Sequence, residues 1–179
     1  MLFTHKITNE ISISKLDTSF AQELFDAIDT DRQFLKLWLE WVDHTKTVED
    51  SKRFLEDSIV RETSQNSGTF HILYNSKLVG QISYFNLKKE CSAEIGYWLN
   101  SSHNGKGIMT EVTKTIIKYC FDELKLNRVV IKTATFNYKS KNIPKKLNFT
   151  LEGVERGSHK SRGEFVNTEV YSILKSDLN

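Results

Sequence analysis

A loop with two glycines is the stretch of this sequence that could most directly do chemistry. It reads Asn100-Ser-Ser-His-Asn-Gly-Lys-Gly and lies between an apolar run that ends at Leu99 and an amphipathic segment that begins at Ile108. The run predicts a strand and the segment predicts a helix. The first N–H groups of a helix have no internal partner, and glycine lets a loop turn its amides toward an anion. The pattern predicts either a cradle for a phosphate or pyrophosphate, or a plain strand-to-helix turn.

A second polar stretch, Asn137-Tyr-Lys-Ser-Lys-Asn-Ile-Pro-Lys-Lys-Leu-Asn-Phe, follows one predicted strand later. It begins a basic segment whose cations are partly offset by Glu152, Glu155 and Glu164. This segment is either a solvated face or a site for an anionic ligand. Its basic residues are Lys139, Lys141, Lys145, Lys146, Arg156, Lys160 and Arg162.

Other kinds of site lack support. The glycine loop is not a Walker loop, and Thr110 stands where G-x-G-x-x-G needs its third glycine. The histidines, at positions 5, 44, 71, 103 and 159, share no metal-ligand spacing with the cysteines, so we expect no metal. Cys120 falls in an apolar helical stretch, where packing is the expected role of a thiol rather than nucleophilic attack.

Length and composition predict one globular domain over residues 1–179. The chain has 39% hydrophobic and 27% charged residues with a net charge of +2, which excludes global disorder and the strong basicity of many nucleic-acid binders. It has no apolar run long enough to span a membrane and no signal-peptide pattern at its start. Its two cysteines do not predict a disulfide framework. We expect a cytoplasmic protein.

The helices and strands that must position these residues differ between the two halves of the chain. After an alternating segment around Ile11 and Ile13, apolar spacing predicts helices over 20–28, 34–41 and 48–59. Ser19 with Gln22, and Thr47 with Asp50, are expected to cap two of them. The remainder predicts three strands, a helix, a strand, a short helix ending at Leu147 and two more strands. This order indicates a mixed α/β sheet packed by helices.

The sequence resembles the GNAT superfamily of acyl-CoA-dependent N-acetyltransferases, in particular its ribosomal-protein-serine acetyltransferase branch. The likeness covers about residues 8 to 176 and lies in motifs that occur in the family's order. These motifs are Ala93-Glu-Ile-Gly-Tyr-Trp-Leu, Gly105-Lys-Gly-Ile, Leu126-Asn-Arg-Val, Asn137-x-x-Ser140, Lys146-Leu-Asn-Phe, Glu152-Gly and Tyr171-Ser-Ile-Leu-Lys.

The resemblance implies a GNAT-like α/β (α+β) fold. Its central sheet would be mixed and mostly antiparallel, with about six or seven strands flanked by helices. Acetyl-CoA would be the co-substrate, and its pantetheine would lie between two splayed parallel strands, Glu94–Leu99 and Arg128–Thr135. The residues expected to hold it are Tyr97, Trp98, Leu99, His103, Asn104, Gly105, Lys106, Gly107, Ile108, Asn137, Ser140, Lys141 and Lys145, with the pyrophosphate on the amides of Asn104 to Ile108.

Three departures from the family pattern carry information. Ser102 stands where a Gln or Arg is common in the family. This difference should affect pyrophosphate binding little, because the cradle is mainly backbone. Asn148 takes the place of a left-handed glycine, and Asn is the next most suitable residue there. Pro144 stands where many members have a tyrosine that protonates the leaving thiolate. As a proline it also lacks the N–H that would donate to the carbonyl of Ser140. The related branch implies Ser140 as the acid for the thiolate, with Tyr138 as a nearby rival.

Acetyl transfer to an amine also needs a base, because an ammonium must lose its proton before it attacks. Glu94 on the splayed strand is the first candidate, and the alternative is that it only bonds within the sheet. Glu164 is a reserve. The strand amides near Tyr97 to Leu99 would hold the acetyl oxygen.

The expected activity is therefore acetyl transfer from acetyl-CoA to a primary amine. The acceptor could be the N-terminal amine of a ribosomal or other protein, a polyamine or a small amine. Two rival functions are a non-catalytic acyl-CoA-binding regulator and a ribosome- or RNA-binding module that uses residues 139–162. We expect neither a membrane nor nucleic acid as partner, and a homodimer is one candidate for the oligomeric state.

Overall fold

One mixed sheet organises the molecule. The structure is a computed structural model that describes residues 4–64, 67–161 and 163–178. In these ranges eight strands form one sheet in the order β1-β2-β3-β4-β5-β6-β8-β7. The strands are β1 (Thr4–Lys6), β2 (Ile11–Lys15), β3 (Gly68–Tyr74), β4 (Lys77–Lys88), β5 (Ser92–Leu99), β6 (Arg128–Ala134), β7 (Thr150–Ser161) and β8 (Glu164–Leu174).

Helices cover both faces of this sheet. They are α1 (Ala21–Asp29), α2 (Arg32–Leu35), α3 (Val48–Ser64), α4 (Ile108–Asp122) and α5 (Tyr138–Lys146). Short 3-10 turns occupy Thr18–Phe20, Glu40–His44, Ser101–His103 and Lys175–Leu178. On one face Val112 and Ile116 of α4 join the same apolar cluster as Ile95 of β5. On the other face Leu24 of α1 and Leu55 of α3 share a second cluster with Trp98.

The two parallel strands in the centre of the sheet separate soon after they pair. Strands β5 and β6 are in register from Ser92↔Arg128 to Glu94↔Val130, and the rest of each strand has no partner in the other. Strand β6 instead continues to pair with β8 as far as Ala134↔Thr168. The sheet therefore opens as a wedge beyond Glu94, which confirms the splay expected at this position.

The fold class is confirmed, although the sheet has more strands than expected. The two additional strands, β1 and β2, precede the helices and pair antiparallel with each other and with β3. The alternating segment at Ile11 and Ile13 is β2. Strand β1 has a fully exposed pattern, Thr4–Lys6, so no apolar alternation marks it in the sequence.

The expected helix over 34–41 is wrong. Helix α2 ends at Leu35, and the chain turns before the 3-10 turn Glu40–His44. The reason is a tertiary contact, because the Arg32 guanidinium donates to the carbonyls of Val42 at 2.6 Å and Thr45 at 2.7 Å. These bonds fold the segment back on itself. We call residues 34–44 the strap.

The two capping predictions have opposite outcomes. Thr47 and Asp50 form the expected reciprocal cap of α3, with Thr47 N–H to Asp50 Oδ2 at 2.9 Å and Asp50 N–H to Thr47 Oγ1 at 3.2 Å. The cap by Ser19 and Gln22 is wrong, because the Asp17 carboxylate accepts the Ser19 N–H at 2.8 Å and starts a 3-10 turn instead.

Candidate active site

The glycine loop forms a concave backbone surface at the start of α4. Gly105 has φ +80 and Gly107, the N-cap of α4, has φ +77, so both lie in the left-handed region that favours glycine. A Cβ added at either position would meet nothing within 4 Å. These glycines are therefore required by backbone conformation, and the space above them is open to a ligand.

The backbone amides of this loop are available to an anion. In the described ranges the N–H groups of Gly105 to Ile108 donate to no carbonyl or side chain, whereas the N–H of Asn104 donates to the carbonyl of Ser101 at 3.1 Å. The Asn104 amide is therefore already bonded within the loop, and its contribution to CoA binding stays a prediction. Free amides at the positive end of a helix dipole fit a pyrophosphate, and we call Gly105–Ile108 the cradle.

Two side chains of the loop pack beside the cradle on Tyr74. The His103 ring lies edge-on to the Tyr74 ring at 5.7 Å, and the Lys106 ammonium is 5.0 Å from the centre of that ring. Burial and the neighbouring Lys106 charge lower the pKa of His103 below its ordinary value. The imidazole is therefore mostly neutral at pH 7, and Lys106 brings the positive charge to this side of the cradle.

A cavity of about 110 Å³ lies at the open end of the wedge. It brings together predicted residues from three separate elements, and the strap closes one side of it. Its lining contains Tyr97, Trp98 and Leu99 of β5, Asn104, Asn137, Lys139 and Ser140, together with Phe34, Leu35, Trp38, Leu39, Met109 and Ile143.

Ser140 is fixed at the edge of this cavity by two contacts. The Asn137 side chain caps α5 by accepting the Ser140 N–H at 3.2 Å, and the Ser140 hydroxyl donates to the Tyr97 hydroxyl at 3.3 Å. The Tyr97 hydroxyl in turn donates to the Ser140 carbonyl at 3.2 Å. Pro144 cannot bond this carbonyl, so Tyr97 supplies the missing donor.

Tyr97 therefore belongs to the site through its hydroxyl as well as its backbone. Burial raises the pKa of Tyr97 above its ordinary value, and its hydrogen bond with Ser140 opposes this by less. The phenol stays protonated at neutral pH. The rival Tyr138 is instead 71% exposed, and the Lys141 ammonium lies 5.4 Å from its ring centre.

The two lysines expected to bind an anion differ sharply. The Lys141 ammonium is buried, donates to the Thr135 carbonyl at 2.9 Å and pairs with Glu169 at 2.5 Å. Its charge is already neutralised and it holds α5 to β8, and its role in binding a phosphate stays a prediction. Lys145 is exposed on the same helix and is accessible to an anion.

Two other basic residues after Asn137 lie against the strap. The Lys139 ammonium lies 5.1 Å from the ring centre of Phe34, at the cavity, and Lys160 lies 4.0 Å from Glu40. Arg162 lies outside the described residues.

Glu94 lies at the vertex of the wedge, on the face opposite the cavity's α5 wall. It is the last residue of β5 to pair with β6. Its carboxylate accepts a hydrogen bond from the Asn86 amide at 3.5 Å. The pKa of Lys132 is raised mainly by its hydrogen bond with Glu155, and the negative charge of Glu94 raises it further. Glu164 is exposed at the start of β8. Of the two candidate bases, Glu94 is therefore the one on a strand of the wedge, and its role as the base stays a prediction.

A groove of about 630 Å³ runs along the Glu94 face between α3 and strands β4 and β5. Leu39, Tyr97 and Trp98 line both this groove and the cavity, so the two spaces meet at these side chains. Its remaining lining has four aromatic residues, six uncharged polar residues and one cation: Trp41, Phe54, Ser58, Arg61, Ser67, Thr69, Gln81, Ser83, Tyr84, Phe85, Asn86, Leu87 and Gly96.

Sequence reasoning missed the strap and the polar partners that hold the site. Asp31 accepts both the N–H and the hydroxyl of Ser101, at 2.5 and 2.6 Å, and so ties the turn between α1 and α2 to the loop that carries the cradle. Glu169 is an isolated acid on the last strand in the sequence. No motif marks either residue, because their partners are 70 and 28 positions away.

The described part of the chain has no helix that is both long and apolar enough to cross a membrane. Among the same residues there is also no group of three or more His, Cys, Asp or Glu side chains that could hold a metal ion.

Comparison with known proteins places this geometry in a family. The family model described as "Acetyltransferase (GNAT) domain" matches residues 12–150. The putative ribosomal N-acetyltransferase YdaF of Bacillus subtilis (strain 168) is 33% identical over 178 residues, covering 98% of this chain and 97% of that protein. The ribosomal-protein-serine acetyltransferase of Escherichia coli (strain K12) is 26% identical over 168 residues, covering 93% and 91%.

A solved structure extends the comparison to the bound co-substrate. The microcin C7 self-immunity acetyltransferase MccE, in complex with acetyl-CoA and AMP, superposes with a TM-score of 0.89 at 27% sequence identity. The match covers 94% of this chain and 94% of that one.

Proposed function

The chain belongs to the GNAT acetyltransferase family and is an acyl-CoA-dependent N-acetyltransferase, and we propose that its acceptor is the α-amine of a protein or peptide. Acetyl-CoA is its co-substrate. Two relatives are named as ribosomal acetyltransferases, which supports a ribosomal protein N-terminus as the acceptor.

The chemistry of the groove carries this proposal. Glu94 lies beside the groove, with its carboxylate bonded to the lining residue Asn86, and among the described lining residues the one with a formal charge is Arg61, a cation. A polyamine needs several carboxylates to neutralise it, so its distal ammonium groups would find no partner in this lining. A single amine on an otherwise neutral or apolar group fits the groove.

The cofactor residues follow from the free backbone groups and the cavity. Gly105, Lys106, Gly107 and Ile108 hold the pyrophosphate on their amides. The edges of β5 and β6 beyond Glu94 have backbone groups that an extended pantetheine can pair with, as an added strand would. Tyr97, Trp98 and Leu99 then lie beside the thioester, and Asn137 orients Ser140.

Two side chains move the protons. Glu94 takes a proton from the acceptor ammonium, directly or through water, so that a neutral amine attacks the thioester carbonyl. Ser140 gives its hydroxyl proton to the departing thiolate. The phenol of Tyr97 accepts from the Ser140 hydroxyl at 3.3 Å and donates to the Ser140 carbonyl at 3.2 Å, so it holds the serine oxygen in position beside the thioester.

An acceptor screen with acetyl-CoA tests this proposal. We expect thiol release with hexapeptides that begin with free Ser or Ala, and none with the same peptides acetylated at the α-amine and carrying an internal lysine. Spermidine is the polyamine control. Faster turnover of spermidine than of every peptide, or no thiol release with any amine, would contradict the proposal.

A second acceptor class is an amine attached to a nucleotide. The structure of MccE holds AMP together with acetyl-CoA, and the groove of this chain has aromatic walls that suit a base. An aminoacyl adenylate analogue with a free α-amine belongs in the same screen.

A further inference from the structure

Two aromatic rings face each other across the groove. Trp41, on the strap, and Phe54, on α3, have planes within 10° of parallel and ring centres 6.5 Å apart. Trp41 is 39% exposed and Phe54 is 40% exposed. Large rings of this kind normally gain their stabilisation from burial, so a pair left half in solvent at the edge of a site is a candidate ligand surface.

The spacing of the pair suits a third ring. Carbon atoms in contact lie about 3.5 Å apart, so a flat group between two parallel rings needs about 7 Å in all. The centres of Trp41 and Phe54 are 6.5 Å apart, which is the upper limit for the distance between their planes, and rotation of the exposed Phe54 side chain can supply the difference. A planar group can therefore enter between the rings or stack on the exposed face of either one.

The inner ring of the pair is held in place by a chain of contacts. Trp98 lies edge-on to Trp41 at 6.0 Å, and its indole N–H donates to Gln81 Oε1 at 3.3 Å. The Gln81 amide nitrogen lies 3.4 Å from Nδ1 of His71. Burial lowers the pKa of His71 to about 4 against the opposing charge of Asp17, so the neutral ring can accept this bond.

This support means that little freedom remains to be lost when a ligand stacks on Trp41. It also ties the pair to the reacting centre, since Trp98 lines both the groove and the cavity. A group held between Trp41 and Phe54 would therefore lie next to a side chain that also lines the cavity.

We propose that Trp41 and Phe54 form a ring-binding subsite that holds a planar aromatic group of the acceptor, close to its amine. This inference rests on the proposed function and narrows it. The group is either an aromatic side chain near a peptide N-terminus or the base of a nucleotide-linked amine, because both offer the same flat π-face.

Binding can be measured without turnover, by calorimetry on protein saturated with CoA. The probes are tryptophanamide, leucinamide and adenosine. Tryptophanamide and leucinamide share the α-amine, so their difference isolates the ring, and adenosine offers a base without the amine. We expect one or both ring probes to bind at least tenfold more tightly than leucinamide, in line with base–aromatic stacking.

The variants Trp41→Leu and Phe54→Leu should each weaken the ring probe about tenfold and leave leucinamide unchanged. Phe165→Leu is the matched control, because Phe165 is 78% exposed on β8 and is not among the groove residues. If Trp41→Leu fails to fold, Phe54→Leu alone decides. Tight binding of tryptophanamide only assigns the subsite to a side chain, and tight binding of adenosine only assigns it to a base.

Equal affinity for all three probes, or affinities that neither variant changes, would overturn the subsite. The two proposals can fail separately. Ring-dependent binding with no thiol release from any amine contradicts the acetyl acceptor alone. Equal turnover of Trp-first and Leu-first peptides with no ring-dependent binding contradicts the subsite alone.

Discussion

The cofactor side and the acceptor side of this enzyme are built by different means. On the cofactor side, the site is formed mainly by the backbone. Its parts are the left-handed Gly105 and Gly107, the free amides at the start of α4, and two parallel strands that separate beyond Glu94. On the acceptor side, an irregular strap and the face of α3 present side chains, and long-range contacts to Arg32 and Ser161 hold the strap in place.

This difference suits a fold whose members share a cofactor but differ in their acceptor. A pyrophosphate is recognised by amides, which tolerate side-chain changes as long as the glycines keep their conformation. The acceptor side that we propose consists of side chains on a segment of short turns rather than on a long helix or strand, where sequence can change at small cost to the fold. Variants that affect one side and spare the other test this separation.

The largest effect is expected where the two sides meet, at Ser140. Ser140→Ala should lower kcat on the order of 10²-fold, as is typical for a general acid–base group, and leave CoA affinity nearly unchanged. Steady-state kinetics with calorimetry of CoA binding measures both quantities. The effect on kcat without an effect on binding would show that Ser140 acts on the transition state.

Two hydroxyl variants control for this result. Tyr138→Phe should be nearly silent, because that side chain is 71% exposed. Tyr97→Phe removes the donor to the Ser140 carbonyl and should lower kcat by less than Ser140→Ala does. If Tyr97→Phe or Tyr138→Phe abolishes turnover while Ser140→Ala retains it, Ser140 is not the acid.

The next effect is confined to the cofactor side. Gly107→Val should weaken CoA binding at least tenfold, about 1.4 kcal/mol, because φ +77 strains a branched residue and its side chain would occupy the space above the cradle. Gly157→Val is the matched control, since Gly157 has φ +57 and equally open surroundings but lies on β7. Equal loss of CoA affinity in both variants would show that strain, rather than the cradle, causes it.

The same contrast explains what the sequence could predict. The glycine loop and the hairpin of β3 and β4 follow from local residue types and spacing, whereas the splay and the left-handed Asn148 (φ +60) were expected from the resemblance to the family. The strap follows from neither, because Phe34, Trp38 and Trp41 keep helical spacing and the Arg32 bonds that break the helix join residues 10 and 13 positions apart. The Lys141–Glu169 pair was missed for a similar reason, since a charge run cannot show which lysine is neutralised in the fold.

A smaller effect is expected on the acceptor side from Arg32. Arg32→Leu removes the donors to the Val42 and Thr45 carbonyls and should loosen the strap, raising the KM for the acceptor several-fold. The Kd for CoA should stay within about twofold of wild type. Arg32→Lys keeps the charge but not the forked geometry, so its KM for the acceptor should lie between those of wild type and Arg32→Leu. A parallel rise in both constants would mean that the strap serves cofactor and acceptor alike.

The smallest effect should spare both sides and appear only in stability. Arg128 holds Glu152 through two hydrogen bonds of 2.5 Å, and Ser172 adds a third at 2.8 Å, at the β6, β7 and β8 end of the sheet. The Arg128 bonds are the first cause that lowers the pKa of Glu152 to about 2. Because the folded pKa is depressed, this stabilisation is complete above the ordinary carboxyl pKa and is lost as the pH falls toward 2.

Glu152→Gln should therefore lower Tm by about 1–3 °C at pH 7 and by progressively less between about pH 4.5 and 2, while kcat and both KM values stay unchanged. The effect is small because the Glu152 side chain is 38% exposed and solvent screens the pair. Glu56→Gln, at an exposed position of α3, is the matched control and should leave the acid dependence of Tm unaltered. A Tm difference that stays constant from pH 7 to pH 2 would show that the amide perturbs packing rather than a charge pair. A change in either KM would instead show that Glu152 affects substrate binding as well as stability, which would contradict the separation between this end of the sheet and the two binding sides.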